Sequence, residues 1–176
     1  FLVAGKKANV VVIRKVGNTI RDSVFLKIQW ALSKFGLSGR FKATVSPFKI
    51  QDTVTGSCFY FYGQDDFQKL KSNDIGNIIA VWYEEAAEFS SEEDFDQSNV
   101  TFMRQKHLDV DFVKFFWSYN PPRNPYNWIN EWTDRLVDND NYLVHSSSYL
   151  NDELGFVTEQ MLEDIRRIKE NDYDYY

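Results

Sequence analysis

The chain has 176 residues, a formal net charge of −6, 43% hydrophobic and 17% aromatic residues, which excludes a disordered segment and allows one domain with a ring-rich core. Its single cysteine, Cys58, excludes an internal disulfide and points to a reducing compartment. Cys58, His107 and His145 are too far apart in sequence for a zinc-type cluster, and no apolar run approaches the ~20 residues of a membrane span.

The charge is divided unevenly. Residues 1–50 hold ten Lys/Arg and one acid, Asp22, for a net of +9, and residues 51–176 hold a net of −15. Overall acidity argues against a general nucleic-acid coat. It leaves room for one basic face that touches phosphates or a neighbouring subunit, or for a solvated surface whose charges happen to segregate.

Lys6-Lys7-Ala8-Asn9 reads as the end of a helix and a turn. Val10-Val11-Val12-Ile13 is a β-branched run, expected as a strand buried on both faces over 10–14. Val24, Phe25, Ile28, Ala31, Leu32 and Phe35 fall at helical spacing within 22–35, with Asp22 or Ser23 as cap and Gly36 and Gly39 as terminators. Residues 41–50 and 56–62, with turn residues at 52–56 between them, predict a small antiparallel insertion. Ile78-Ile79-Ala80-Val81-Trp82-Tyr83 is a second buried strand. Ser90-Ser91-Glu92-Glu93 reads as a capping box for a helix to about residue 105. Residues 113–118 are a third buried strand, stopped by Pro121-Pro122. A helix over 126–137, a short strand at Tyr142-Leu143-Val144 and an amphipathic helix over 158–171, capped by Thr158, complete the chain. Strands separated by helices imply an α/β domain with a mainly parallel sheet, its centre formed by 10–14, 78–83 and 113–118.

The chemistry concentrates at two strand ends. The strand at 78–83 delivers Glu84 and Glu85 where open parallel sheets bind ligands. A phosphoryl-transfer ATPase needs one carboxylate for Mg²⁺ and a second to activate the attacking water. Glu84 fits the first role and Glu85 the second. An ordinary helix start, with Glu84, Glu85 and Glu88 favouring the N-terminal dipole, fits the same residues. The strand at 113–118 runs into Ser118-Tyr119-Asn120-Pro121-Pro122. Asn120 there can report the state of a γ-phosphate, or simply belong to a strand-end turn.

Several strings, in order along nearly the whole chain, carry a family resemblance. They are Val11-Val12-Ile13-Arg14-Lys15 with Asn18-Thr19-Ile20-Arg21-Asp22-Ser23-Val24-Phe25, and Phe61-Tyr62-Gly63 with Lys69-Leu70-Lys71-Ser72. Val81-Trp82-Tyr83-Glu84-Glu85-Ala86, Asn120-Pro121-Pro122 with Trp128-Ile129, and Ser148-Tyr149-Leu150-Asn151-Asp152 follow. The chain resembles the large terminase subunits of the PBSX-like group of tailed phages and prophages. The resemblance implies a P-loop NTPase core of the ASCE type, with ATP and Mg²⁺ as cofactors and packaging of double-stranded viral DNA as the task. It makes Glu84–Glu85 the Walker B and catalytic acids, Glu84 holding the metal, and Ser118, Tyr119 and Asn120 the coupling motif. Arg14 and Lys71 are then candidate phosphate-contacting or trans-acting cations. The implied partners are DNA, the portal protein, the small terminase subunit and further copies in a ring, in the host cytoplasm at the procapsid portal.

One feature departs from that family. None of the eight glycines opens a Gly-x-x-x-x-Gly-Lys-Ser/Thr loop. The chain is therefore expected to begin just after the phosphate loop and to be inactive alone. Residues 1–150 are expected to be a partial motor domain and 151–176 a helix and linker toward a nuclease domain beyond Tyr176. Another P-loop nucleic-acid translocase and a non-catalytic interaction domain are the competing readings. No Asp-Glu-x-His or Asp-Glu-x-Asp follows the acid-bearing strand, as a helicase of that kind would have.

Overall fold

The computed structural model describes residues 1–66, 74–153 and 155–171. Two compact units divide the chain, Phe1–Asp134 and Arg135–Tyr176. The first contains six strands: β1 (Asn9–Arg14), β2 (Phe41–Val45), β3 (Phe48–Asp52), β4 (Cys58–Gly63), β5 (Ile78–Glu84) and β6 (Lys114–Ser118). Its helices are α1 (Val24–Lys34), α2 (Glu93–Met103) and most of α3 (Trp128–Leu136). The sheet order is β2-β3-β4-β1-β5-β6. Strands β4, β1, β5 and β6 run parallel, and β2 and β3 continue the sheet antiparallel beyond β4. The expected α/β domain with a mainly parallel sheet is observed; of the expected antiparallel insertion, 41–50 forms β2 and β3, whereas 56–62 supplies β4, which lies inside the sheet, antiparallel to β3 but parallel to β1.

Strand alternation sorts the core onto two faces. Val11, Ile13, Val81 and Tyr83 join Phe89, Phe95, Phe102 and Ile129 on one side. Val12 and Phe61 join Val24, Phe25, Ile28 and Ile50 on the other, beneath α1. Parallel strands covered on both faces need continuous apolar runs, which is why β1 and β5 were legible in the sequence. The first face is aromatic: Tyr83 and Trp117 stack across β5 and β6 with ring centres 6.1 Å apart, and Phe95 packs 5.6 to 6.0 Å from Trp117, Trp128 and Trp132. The buried Tyr83 hydroxyl donates to Asn99 Oδ1 at 2.8 Å, and burial raises its pKa. Burial likewise pushes the Cys58 thiol up to about 11.

Register is pinned by Asn9, a fully buried amide. Its Nδ2 donates to the carbonyls of Ile75 and Gly76, and its Oδ1 accepts from Cys58 N. One side chain thus ties the start of β1 to β4 and to the turn entering β5. At the opposite end, Gly63 lies so close to Gly17 that a Cβ would sit 2.5 Å from the Gly17 nitrogen.

Several expectations are corrected. Strand β6 is an edge rather than a central strand, with no neighbour on its outer side among the described residues. Its exposed positions alternate accordingly, Phe116 being 51% exposed. The 41–50 stretch splits at Ser46-Pro47 into two strands, because proline there supplies a turn. Residues 6–8 form no helix end; a turn occupies 2–5. Helix α1 has Ser23 at its N-cap, but the hydroxyl donates to Thr19 O instead of capping. Helix α2 starts without the capping box: Asp94 Oδ2 accepts from Ser90 N and from Lys15 Nζ.

In the second unit, helix α4 (Glu159–Asn171) begins after Thr158, whose Oγ1 accepts from Met161 N. Residues 142–144 form no strand, since three apolar residues find no ladder partner among the described residues. No helix among the described residues is long and apolar enough to cross a membrane.

Asp52 closes the antiparallel extension. Its buried carboxylate accepts from Arg40 Nε at 2.6 Å and Nη2 at 2.9 Å, and from the amides of Val54 and Thr55 and the Thr55 hydroxyl. The Arg40 guanidinium, then the Thr55 and Val54 bonds, hold this carboxyl well below the usual carboxylate range against the opposing effect of burial. A depressed carboxyl stabilises the fold above its unfolded pKa, near 3.9, and loses that contribution as pH falls. Asp52→Asn is expected to lose about 2–3 kcal/mol in urea unfolding at neutral pH, the range of hydrogen bonds to a charged group. The gap to wild type should narrow below about pH 4; a gap unchanged between pH 7 and pH 3 would contradict this assignment.

Candidate functional site

The site is built at the C-terminal ends of β1, β5 and β6. Glu84 is the last residue of β5 and lies opposite Ser118, the last of β6. It is 2% exposed, and a buried carboxylate needs compensating charge. Two cations supply it. Arg14, ending β1, brings its Nε within 2.9 Å of Glu84 Oε2. That N–H is not aligned on the oxygen, so the contact is one of charge rather than a hydrogen bond. Lys27, one turn into α1, donates from Nζ to Glu84 Oε1 at 2.7 Å.

Arg14 is itself enclosed. It is 7% exposed, its Nη1 donates to Ser23 Oγ at 3.1 Å, and its Nη2 lies 3.3 Å from Glu88 Oε1. The Ser23 hydroxyl, expected as a helix cap, instead serves Arg14. Glu88 belongs to a 3-10 turn, Ala86–Glu88, that follows β5. Arg14, Lys27, Glu84 and Glu88 therefore form a neutral cluster joining β1, β5 and the first turns of α1.

Glu85 stands apart from that cluster. Its backbone is left-handed, with φ 54° and ψ 52°, uncommon for a residue with a side chain. The bend turns the chain sharply out of β5. The carboxylate is half-buried and makes no hydrogen bond or ion pair among the described residues. It is the uncompensated acid of the group, and left-handed non-glycine residues cluster where a side chain must be aimed.

At the end of β6, the Ser118 hydroxyl accepts from Trp82 Nε1 at 2.8 Å, and the Tyr119 hydroxyl pairs with Thr133 Oγ1 at 2.5 Å. Asn120, two residues past the strand, is exposed and makes no side-chain hydrogen bond among the described residues. The strand pairing thus places Glu84 against Ser118, with Glu85 and Asn120 on the segments leaving adjacent strands. Lys71 lies outside the described residues. No group of three or more acids, histidines or cysteines that could hold a metal ion occurs among the described residues. Magnesium commonly needs only one or two protein carboxylates, the remainder coming from water and phosphate oxygens.

Lys27 gave no local signal in the sequence, because its partner is 57 positions away. Glu88 was legible only as a helix-start acid. Arg14 was legible as a strand-end cation, but its burial depended on where α1 packs.

A mainly parallel sheet flanked by helices, with acids at its carboxyl edge, defines an α/β domain. The chain belongs to the phage terminase large subunit family, whose sequence pattern matches residues 2–176. It is 30% identical over 160 residues to the terminase large subunit of Bacillus phage SPP1, covering 90% of this chain and 37% of that protein. It is 28% identical over 190 aligned positions to the PBSX phage terminase large subunit of Bacillus subtilis strain 168, covering 97% of this chain and 41% of that one. The chain thus spans about two fifths of the length of these curated relatives. The large terminase of a thermophilic bacteriophage has the same fold, with a TM-score of 0.68, 20% identity, and coverage of 93% of this chain and 38% of that one. That terminase in complex with ATP-gamma-S superposes with a TM-score of 0.64 at 20% identity, over 93% of this chain and 36% of that one.

If Arg14 compensates Glu84 as this geometry requires, Arg14→Met should destabilise the fold by about 3 kcal/mol, by stranding a buried carboxylate. Combined with Glu84→Gln it should cost markedly less than the sum of the two single changes. Additive losses in chemical unfolding would show that the two side chains do not interact.

Proposed function

We propose that this chain forms part of the ATPase motor of a phage large terminase, which drives double-stranded DNA into a procapsid. Membership of the family supports this reading. The observation that carries it is the contrast between two adjacent acids at the end of β5: Glu84 is buried between Arg14 and Lys27, and Glu85 sits in a left-handed bend with no ion pair among the described residues.

In this reading ATP is the fuel and Mg²⁺ the metal. The donor set fits a hard divalent ion, since Glu84 and Glu85 offer carboxylate oxygens. Glu84 would hold Mg²⁺, which when bound neutralises charge on the nucleotide phosphates. Glu85 would act as general base toward the attacking water, its charge not neutralised by another side chain. Ser118, Tyr119 and Asn120 would couple the state of the nucleotide to movement of β6. Arg14 would position Glu84 rather than touch phosphate. Lys71 keeps the role of a candidate trans-acting cation.

The phosphate-binding loop would come from elsewhere in the protein. Residues 1–150 would form part of the motor domain, and 151–176 would lead toward a nuclease domain. Portal protein, small terminase subunit, viral DNA and further copies in a ring would be the partners, at the portal vertex in the host cytoplasm.

The experiment is Glu85→Gln in the full-length protein. Loss of a general base costs about 10²–10⁴-fold in turnover, while nucleotide binding should persist because phosphate contacts lie elsewhere. Turnover within about tenfold of wild type would remove Glu85 from this role.

A further inference from the structure

The two cations on Glu84 are held very differently. Arg14 is enclosed by Ser23 and Glu88, its side chain 9% exposed. It faces Oε2, an oxygen sealed from solvent. Lys27 is 61% exposed, and Glu84 is its sole ion-pair partner among the described residues. It reaches over Glu84 from solvent and covers Oε1, the carboxylate oxygen that Arg14 Nε does not face.

We infer that Lys27 is a built-in, displaceable counter-ion that competes with a divalent cation for Glu84. The inference rests on the proposed role of Glu84 as the metal-holding acid, and it adds a regulatory contact to that role. A buried carboxylate carries a desolvation cost that some cation must offset. Arg14 offsets part of it permanently. The remaining charge is met by an ammonium group on a flexible stem with three rotatable donors, bound through one hydrogen bond. A divalent ion entering at Oε1 must displace that ammonium. Lys27 can withdraw to solvent at little cost because its side chain is already mostly exposed. Glu84 is therefore oriented by Lys27 as well as by Arg14, and its cation affinity is set below that of a bare carboxylate.

The contact also joins α1 to the end of β5. Displacing Lys27 would release its ammonium from the sheet, so cation binding and the mobility of that side chain are linked.

The test is Mn²⁺ alone, titrated into the full-length protein, with free Mn²⁺ followed by electron paramagnetic resonance. Lys27→Met should bind Mn²⁺ about three- to fivefold more tightly than wild type, the range set by an ion pair with one exposed partner. Lys27→Arg, which keeps the charge, should bind as wild type or more weakly. Glu84→Gln should lose the binding. If Lys27→Met binds no more tightly than wild type while Glu84→Gln still loses the ion, the competition is overturned and the role of Glu84 stands. If Glu84→Gln binds as tightly as wild type, the role of Glu84 fails and the competition with it. Absence of binding by both wild type and Lys27→Met would also overturn the inference.

Discussion

The buried carboxylate of Glu84, held between Arg14 and Lys27, is the constraint on which the site depends. Burial of an acid at the end of a central strand is unfavourable unless neighbouring elements bring cations to it. Arg14 comes from the end of β1 and Lys27 from the first turns of α1. Satisfying one carboxylate therefore fixes how far β1 and β5 run together and where α1 begins over the sheet. With Glu84 fixed, the chain can hold the left-handed bend at Glu85, which carries the next carboxylate out of the strand uncompensated.

The rest of the fold supplies rigidity behind that edge. Alternate residues of β1 and β5 enter opposite cores, so neither strand can slip by one position without exchanging its faces. Asn9 adds a polar lock at the far end of the sheet, tying β1 to β4 and to the turn before β5. On the aromatic face, Tyr83, Trp117 and Phe95 bridge β5, β6 and α2. Much of the ring content of the chain gathers there, directly behind the two strand ends that carry the candidate chemistry. A displacement of β6 relative to β5 would have to move these rings.

What the sequence showed and what it hid divide along local and non-local lines. The parallel strands were legible because burial on two faces demands unbroken apolar runs such as Val10 to Ile13. The acid pair was legible because strand ends concentrate ligand chemistry. The edge position of β6 was not, since Val113, Phe115 and Trp117 read as a central strand although, among the described residues, only one neighbour pairs with it. The ion pairs were hidden for a different reason: Lys27 and Glu84, Arg14 and Glu84, and Arg40 and Asp52 are set by packing, and no spacing rule connects them. Capping signals misled at Ser23 and Ser90 because each hydroxyl was taken by a cation from elsewhere, Arg14 in one case and Lys15 in the other. The segment at 142–144 had strand composition but joins no ladder among the described residues, and composition alone does not make one.

In the proposed function the ends of β5 and β6 form the nucleotide site, with Glu84 held in place by Arg14. The most direct measurement is a crystal structure of the full-length protein with ATP-gamma-S and Mg²⁺. The account predicts metal density at the Glu84 carboxylate, the Arg14–Glu84 pair retained, Lys27 moved away from Oε1, and the γ-phosphate between Glu85 and Asn120. Nucleotide and metal bound away from Glu84 and Glu85, with the Lys27–Glu84 contact intact, would contradict it.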